Sequence, residues 1–495
     1  MDNRELDALE PKEVFRFFRE ISRIPRGSYH IEEISAYLAE FAKERGLECH
    51  QDGEGNVIII KEASPGYEEV PAIMLQGHMD MVAVKEAGSS HDLLKDPLDL
   101  FVEGDELGAR STSLGGDDGV AVAYALALLD DPGFSHPRLE CVFTVNEETG
   151  MEGARAIDLA PCKALRMLNL DSGEEGHFLA GCAGGVKAYG SLKVNRESMI
   201  GIKGTVTISG LHGGHSGELI HKGYANALIL MGRLCRRVFM ETGCRLVSLS
   251  GGEADNAIPR DAEATFLLGA EALSEGAQEH LARFVSLLEE EWAIEWSAKE
   301  TDLHIGISFE ERQSHENVLT AESMGTLTAM LFAMPDGVQA MSGEVPGLVE
   351  TSLNLGRATL SESEFSFISL IRSSKDKAKE EVCRKLEAIM SLAGGSLTLE
   401  GNYPGWQFRA NSPFRDSLVA LYKEMTGEEG VVEAIHAGLE CGLFLEKRPE
   451  LDCVSIGPNM RGIHTVEERL SISSTERVYK LVKGFLQIKP PYQHT

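Results

Sequence analysis

The sequence predicts an α/β protein whose main lobe is interrupted by an α+β insertion. Three observations carry that expectation. In the first 190 residues, short apolar runs at 57–60, 73–75, 139–145 and 164–170 alternate with helical patterns. Continuous apolar runs of this length read as buried strands. From about residue 190 the texture changes, and strand-like segments at 203–209, 264–268, 305–309 and 352–355 alternate with long helical patterns at 225–241, 277–291, 319–332 and 375–392. After Gly394-Gly395 the first texture returns, with helices expected at 412–426, 435–444 and 474–488 around a strand at 453–456. The expected division is one lobe from 1–190 and 397–495, and an insertion over 191–396.

Composition narrows the function classes. The chain has 495 residues, with 78 Asp and Glu against 47 Lys and Arg, a formal net charge of −31. That balance argues against nucleic acid or an anionic membrane as the main partner. It leaves spare carboxylates for cations. The first residues, Met1-Asp2-Asn3-Arg4-Glu5, are charged, with no apolar signal-peptide core. No run approaches the roughly 18 apolar residues of a membrane span, so a cytoplasmic location is expected. Nine cysteines without CxxC spacing argue against a disulfide framework and read as buried fillers.

Taken in order, residues 10–24 form an amphipathic helix with Val14, Phe15, Phe17, Phe18 and Ile21 on its apolar side, stopped by Pro25 and Gly27. A second helix covers 31–45 and ends at Gly46. The strand at 73–75 runs into Gln76-Gly77-His78-Met79-Asp80-Met81. His78 and Asp80 are two apart, so they share a face of an extended chain. A carboxylate that holds one imidazole nitrogen raises the other's value as a metal ligand; a polar strand end is the plainer reading. Next, Gly115-Gly116-Asp117-Asp118-Gly119 opens an apolar run at 120–129. A helix start can use Asp as a cap, but two acids exceed what one cap needs. The strand at 139–145 exits into Asn146-Glu147-Glu148-Thr149-Gly150, and the strand at 164–170 into Asp171-Ser172-Gly173. His464 follows the strand at 453–456 and reads either as a further ligand or as a surface histidine. His436 and Glu440, four apart, would share a face of the helix expected at 435–444.

Four apolar elements thus finish in His or acid. In α/β sheets, ligands collect at the carboxyl ends of strands, so a metal site explains the pattern better than four unrelated loops. Ligands of His and carboxylate without Cys favour zinc, manganese or cobalt used in catalysis.

Together with Gly213-Gly214-His215-Ser216-Gly217, Asn256-Ala257-Ile258-Pro259-Arg260 and Tyr403-Pro404-Gly405-Trp406, these motifs resemble in order the dizinc exopeptidases that include carboxypeptidases and aminoacylases. The resemblance runs from Ile24-Pro25 to His464. It implies a catalytic three-layer α/β/α lobe interrupted by a lid that also forms a homodimer. It implies two Zn2+ ions per subunit, with Mn2+ or Co2+ as substitutes, bridged by Asp117. His78 and Asp171 would complete one ion's shell, and Glu148 and His464 the other's. Asp80 would orient His78, Glu147 would act as general base, and His215 would steady the transition state. Asn256 and Arg372 would hold the substrate, Arg372 by its free carboxylate. The implied activity is hydrolysis of dipeptides, Xaa-His dipeptides such as β-Ala-His included. Removal of N-acyl groups from amino acids, and a metal-binding dimer without activity, are the alternatives. Relatives commonly carry Asn where Asp118 stands and Ala where Gly116 stands.

Overall fold

In the computed structural model, which describes residues 6–269 and 276–489, an eight-stranded sheet carries the first texture. Its order is Glu48–Gln51, Val57–Lys61, Leu139–Thr144, Ile73–His78, Arg166–Asn169, Asp452–Ser455, His177–Cys182 and Val431–Ile435. The four middle strands, from Leu139–Thr144 to Asp452–Ser455, are mutually parallel. Every residue of Ile73–His78 and Leu139–Thr144 is buried, as expected of strands covered on both faces. The register sets His78 opposite Thr144 and Gln76 opposite Asn169. All four parallel strands therefore end on the same side.

The helix Gly116–Asp130 is buried continuously from Asp118 to Leu129. Its alternate alanines, Ala121, Ala123, Ala125 and Ala127, suit close packing on all sides. Lys12–Ile21 packs against it with Val14, Phe15, Phe17, Phe18 and Ile21 buried, the apolar side that the sequence pattern marks.

By contacts the chain divides into two compact units. One runs to Gly181 and resumes over Phe408–Ala434 and from Leu439 onward; the other comprises Cys182–Gln407 and Ile435–Gly438. The second unit holds a ten-stranded sheet whose strand pairs are antiparallel. Its helices are Ala227–Thr242, Ala277–Glu295, Ala321–Ala333 and Asp376–Ala393. Leu230, Met231, Leu234, Trp292, Leu327, Leu331 and Leu386 belong to its core. This sheet continues past Gly394-Gly395 into Ser396–Tyr403.

One expectation is corrected. Residues 435–444 are not one helix: the strand Val431–Ile435 is followed by a turn, and the helix begins only at Cys441. Val431 and Val432 favour the extended chain, and Gly438 lies in the turn against the Tyr403 ring. His436 and Glu440 therefore do not share a helical face. Among the described residues no helix is long and apolar enough to cross a membrane. All nine cysteines are free, and all but Cys49 are buried.

The helix carrying Asp117 and Asp118 approaches the His78 strand closely at Gly77. A Cβ there would lie 2.4 Å from Asp118 Oδ2 and 2.5 Å from the Ala121 Cβ. Gly77→Ala is expected to destabilise the protein by about 1–3 kcal/mol through overpacking, seen as a lower urea midpoint. A midpoint equal to the parent's would contradict this packing.

Candidate metal centre

His78 ends its strand with 1% of its surface exposed. Its Nδ1 faces two acceptors of Asp80, the backbone carbonyl at 3.1 Å and the carboxylate Oδ1 at 3.4 Å. Nδ1 therefore carries a proton, and Nε2 is the atom that could meet a metal. Nε2 lies 3.0 Å from Asp117 Oδ1 and 3.9 Å from Asp171 Oδ1. The other oxygen of Asp117, Oδ2, lies 3.2 Å from His464 Nε2, and that nitrogen is 2.9 Å from Glu148 Oε2. One carboxylate is thus shared between two imidazoles. Three overlapping groups, His78–Asp118–Asp171, His78–Glu147–Glu148 and Asp117–Glu148–His464, each gather ligand atoms within 4.8 Å of one another.

Local backbone explains these placements. Asp117 has φ −79° and ψ 108°, so it precedes the regular helix and projects its side chain away from the helix axis. Neither Asp117 nor Asp118 serves as the side-chain cap. Asp118 Oδ2 instead accepts the His78 amide at 3.2 Å. Asn146, at φ 52°, and His464, at φ 66°, are both left-handed. Such conformations persist where surroundings over-determine them. Asn146 is held by the Tyr29 amide on its Oδ1 at 2.7 Å.

Asp80 ties several parts together. Its Oδ1 accepts the Glu147 amide at 3.1 Å, and its Oδ2 accepts the Ser28 hydroxyl at 2.7 Å. The His78 imidazole and the backbone beside Glu147 are thereby fixed to one buried carboxylate. Ser28 was not legible in the sequence as a site residue. Glu440, which the sequence sets on a helical face with His436, is 0% exposed and instead faces the parallel strands. Its Oε2 accepts from Gln76 Nε2 and from Thr144 Oγ1, and Gln76 Oε1 accepts from Asn169 Nδ2.

The residues fit divalent cations. Asp80, Asp117, Asp118, Glu147, Glu148 and Asp171 surround only two imidazoles, and two buried oxygens, Asp118 Oδ1 and Glu148 Oε1, have no hydrogen-bond partner. Burial pushes the Glu147 carboxyl up to about 8; the His78 charge opposes this, and Glu440, Glu148 and Asp117 add to it. Burial together with Asp117 and Asp118 likewise raises Asp171 well above the carboxylate range. Such crowding of anions calls for positive charge.

The second unit brings together the other residues singled out in the sequence. His215 pairs with Ala257, and the Ser216 amide donates to the Asn256 carbonyl at 2.8 Å. Asn354 Nδ2 donates to the carbonyls on either side of Asn256, those of Asp255 at 3.0 Å and Ala257 at 2.8 Å. Arg372, on the strand Glu364–Ser373, is registered opposite Ser352. It is 7% exposed; its Nη1 donates to Tyr403 Oη at 3.1 Å, and its Nε has no partner. His436 Nε2 is hydrogen-bonded to Ser352 Oγ at 2.7 Å. Burial, and then the Arg372 charge, lowers His436 to about 3 and also lowers His215. Both imidazoles are neutral near pH 7, leaving Arg372 as the positive charge among them. The Glu218 amide donates to His215 Nδ1 at 3.2 Å, so His215 carries its proton on Nε2.

Comparison with known proteins places this geometry in a family. Residues 74–488 match the model of peptidase family M20/M25/M40. The chain is 37% identical over 488 residues to the cytosol non-specific dipeptidase of Escherichia coli (strain K12), covering 98% of this chain and 99% of that protein. Its structure is similar to that of the aminoacylhistidine dipeptidase from Vibrio alginolyticus, with a TM-score of 0.90, 35% identity and 98% of both chains covered. The aminopeptidase PepT from Bacillus cereus shares the fold, with a TM-score of 0.59 at 15% identity, covering 97% of this chain and 98% of that one. The chain belongs to peptidase family M20/M25/M40.

Proposed function

We propose that this protein is a two-ion metallodipeptidase with broad specificity that includes Xaa-His dipeptides such as β-Ala-His. The observation that carries the reading is Asp117, whose two oxygens face His78 and His464 separately. Similarity to a cytosol non-specific dipeptidase and an aminoacylhistidine dipeptidase over nearly the whole chain supports the substrate class and a cytosolic location. We assign His78 and Asp171 to one ion, Glu148 and His464 to the other, and Asp117 to both. Zinc is the ion that a Cys-free set of His and carboxylate favours for hydrolysis, with manganese or cobalt as substitutes. When bound, two such ions lower the pKa of a water toward roughly 7 and polarise the scissile carbonyl.

The remaining work falls to the chain. Glu147 takes the attacking water's proton and returns it to the leaving amine. Its neighbour Glu148 points to His464, and the Glu147 amide is pinned by Asp80, so ligand and base are separate side chains on one turn. Asp80 orients His78. His215, with its proton on Nε2, is assigned as donor to the developing oxyanion. Asn256 and Arg372 are assigned to the substrate. Arg372 keeps unspent donors in a buried setting, which suits a dipeptide's free carboxylate. The insertion over 191–396 is assigned as lid and homodimerisation domain. The strand Ser396–Tyr403, which continues past those bounds within the same compact unit, closes one edge of the ten-stranded sheet and is exposed over most of its length, which supports a partner there.

Three outcomes are expected. Hydrolysis of β-Ala-His and Gly-His should exceed that of N-acetyl amino acids and be abolished by a chelator; preference for N-acetyl amino acids would make the protein a deacylase instead. Glu147→Ala should keep its metal content but lose about 10²–10⁴ in kcat; near-parental turnover would remove Glu147 from its role. Arg372→Ala should raise KM for dipeptides by about 10- to 100-fold, the value of a hydrogen bond to a charged group. The same substitution should affect dipeptide amides far less, and equal effects on both would place the substrate carboxylate elsewhere.

A further inference from the structure

The turn that delivers Asp117 is held by two buried side chains of opposite charge that no catalytic role uses. Glu468, 2% exposed, accepts four consecutive amides. Leu114 and Gly115 donate to its Oε2 at 2.9 and 3.0 Å, and Gly116 and Asp117 donate to its Oε1 at 2.8 and 3.2 Å. These amides belong to the non-helical turn that leads into the helix, and buried amides of this kind need an acceptor. Arg26, also 2% exposed, grips the same turn through a carbonyl. Its Nη2 donates to Gly115 O at 2.5 Å, and its Nη1 to Met79 O and Asp80 O at 3.2 Å each. Gly115 lies at φ +64°, and a Cβ on it would stand 2.5 Å from Arg26 Nη2.

The connections reach further than one turn. Glu468 follows His464 by four residues in a tight loop, where the Thr465 amide and hydroxyl donate to Gly462 O and the Glu468 amide donates to Thr465 O. The segment that presents His464 therefore also fixes the backbone of Asp117. Arg26 joins that backbone to the residues that leave His78. The carboxylate shared between two imidazoles is thus tied through its main chain to the segments that carry both of them.

We propose that Glu468 and Arg26 are positioning residues that set Asp117 between His78 and His464 before any ion binds. Buried charged side chains hold four amides and one carbonyl of that turn, so the bridging carboxylate does not have to be ordered by the metal itself. This rests on the two-ion reading above.

The test is titration of metal-free protein with Co2+, followed by calorimetry and by the visible absorption of the bound ion, with kcat and KM on a dipeptide. Glu468→Gln keeps the shape but turns an NH2 toward two of the four amides. Its Co2+ affinity should fall by about 10- to 100-fold, as for other groups that orient metal ligands. At saturation its absorption bands should be shifted from the parent's, and kcat should fall while KM changes little. Arg26→Lys, which keeps the charge but not the fork, should shift the same bands. Glu467→Gln, next in sequence with its side chain 72% exposed, should match the parent in every readout. Parental affinity and spectrum in a folded Glu468→Gln or Arg26→Lys variant would overturn the proposal, even if its melting temperature had dropped. Parent protein that takes up only one Co2+ would overturn both this proposal and the two-ion reading.

Discussion

The structure depends on where one carboxylate stands. Asp117 offers Oδ1 to His78 and Oδ2 to His464 at 3.0 and 3.2 Å, and the surrounding elements converge to keep it there. The four parallel strands end together, so His78, Glu148, Asp171 and His464 arrive from separate strand exits at one locus. The helix behind Asp117 is buried nearly throughout and cannot slide without disrupting the core around Val122, Tyr124 and Leu126. Gly77 allows that helix to touch the His78 strand. Close packing of this kind transmits a displacement of any one element to the site.

Charge follows from the same geometry. Burial, and then repulsion among the neighbouring carboxylates, raises Glu147 and Asp171. A site of this composition accepts divalent cations because they relieve that repulsion. The separation of tasks is also geometric. Glu147 and Glu148 are adjacent, and adjacent side chains diverge, so one can face His464 while the other does not. In the second unit, two neutral histidines and one arginine form a separate polar group. There burial keeps the imidazoles uncharged, and Arg372 supplies the only net charge among the three.

Much of this was legible in the sequence, for a physical reason. Strands buried on both faces are continuous apolar runs, so 73–75, 139–145 and 164–170 announced both themselves and the polar residues at their exits. Asp117 stood out because two acids in a glycine turn exceed one cap's needs; neither acts as a cap, and Glu468 holds the amides of the turn itself. His464 had no local signature, since it sits in a loop after Asp452–Ser455, and it was placed only by family resemblance. Arg26 and Glu468 were invisible because their surroundings read as ordinary loop: Glu467 and Arg469 flank Glu468, and burial of one charge in such a run leaves no periodic trace. In the second unit, Gly184–Lys193, Glu364–Ser373 and Ser396–Tyr403 went unrecognised because their burial is mixed or low. Arg372 accordingly had no predicted strand to stand on. The helix expected at 435–444 failed because Ile435 ends a strand and 436–440 form the turn that follows it.

Metal content per chain in the parent protein and in Asp117→Asn, after dialysis against a limiting zinc buffer, reports directly on whether one carboxylate serves two ions. Asparagine keeps the size of the side chain and one acceptor oxygen but cannot offer an anion to both imidazoles. Two ions are expected in the parent, with weakened retention of both in the variant. Two ions held equally well by the variant, or loss of one with the other unchanged, would contradict a shared carboxylate.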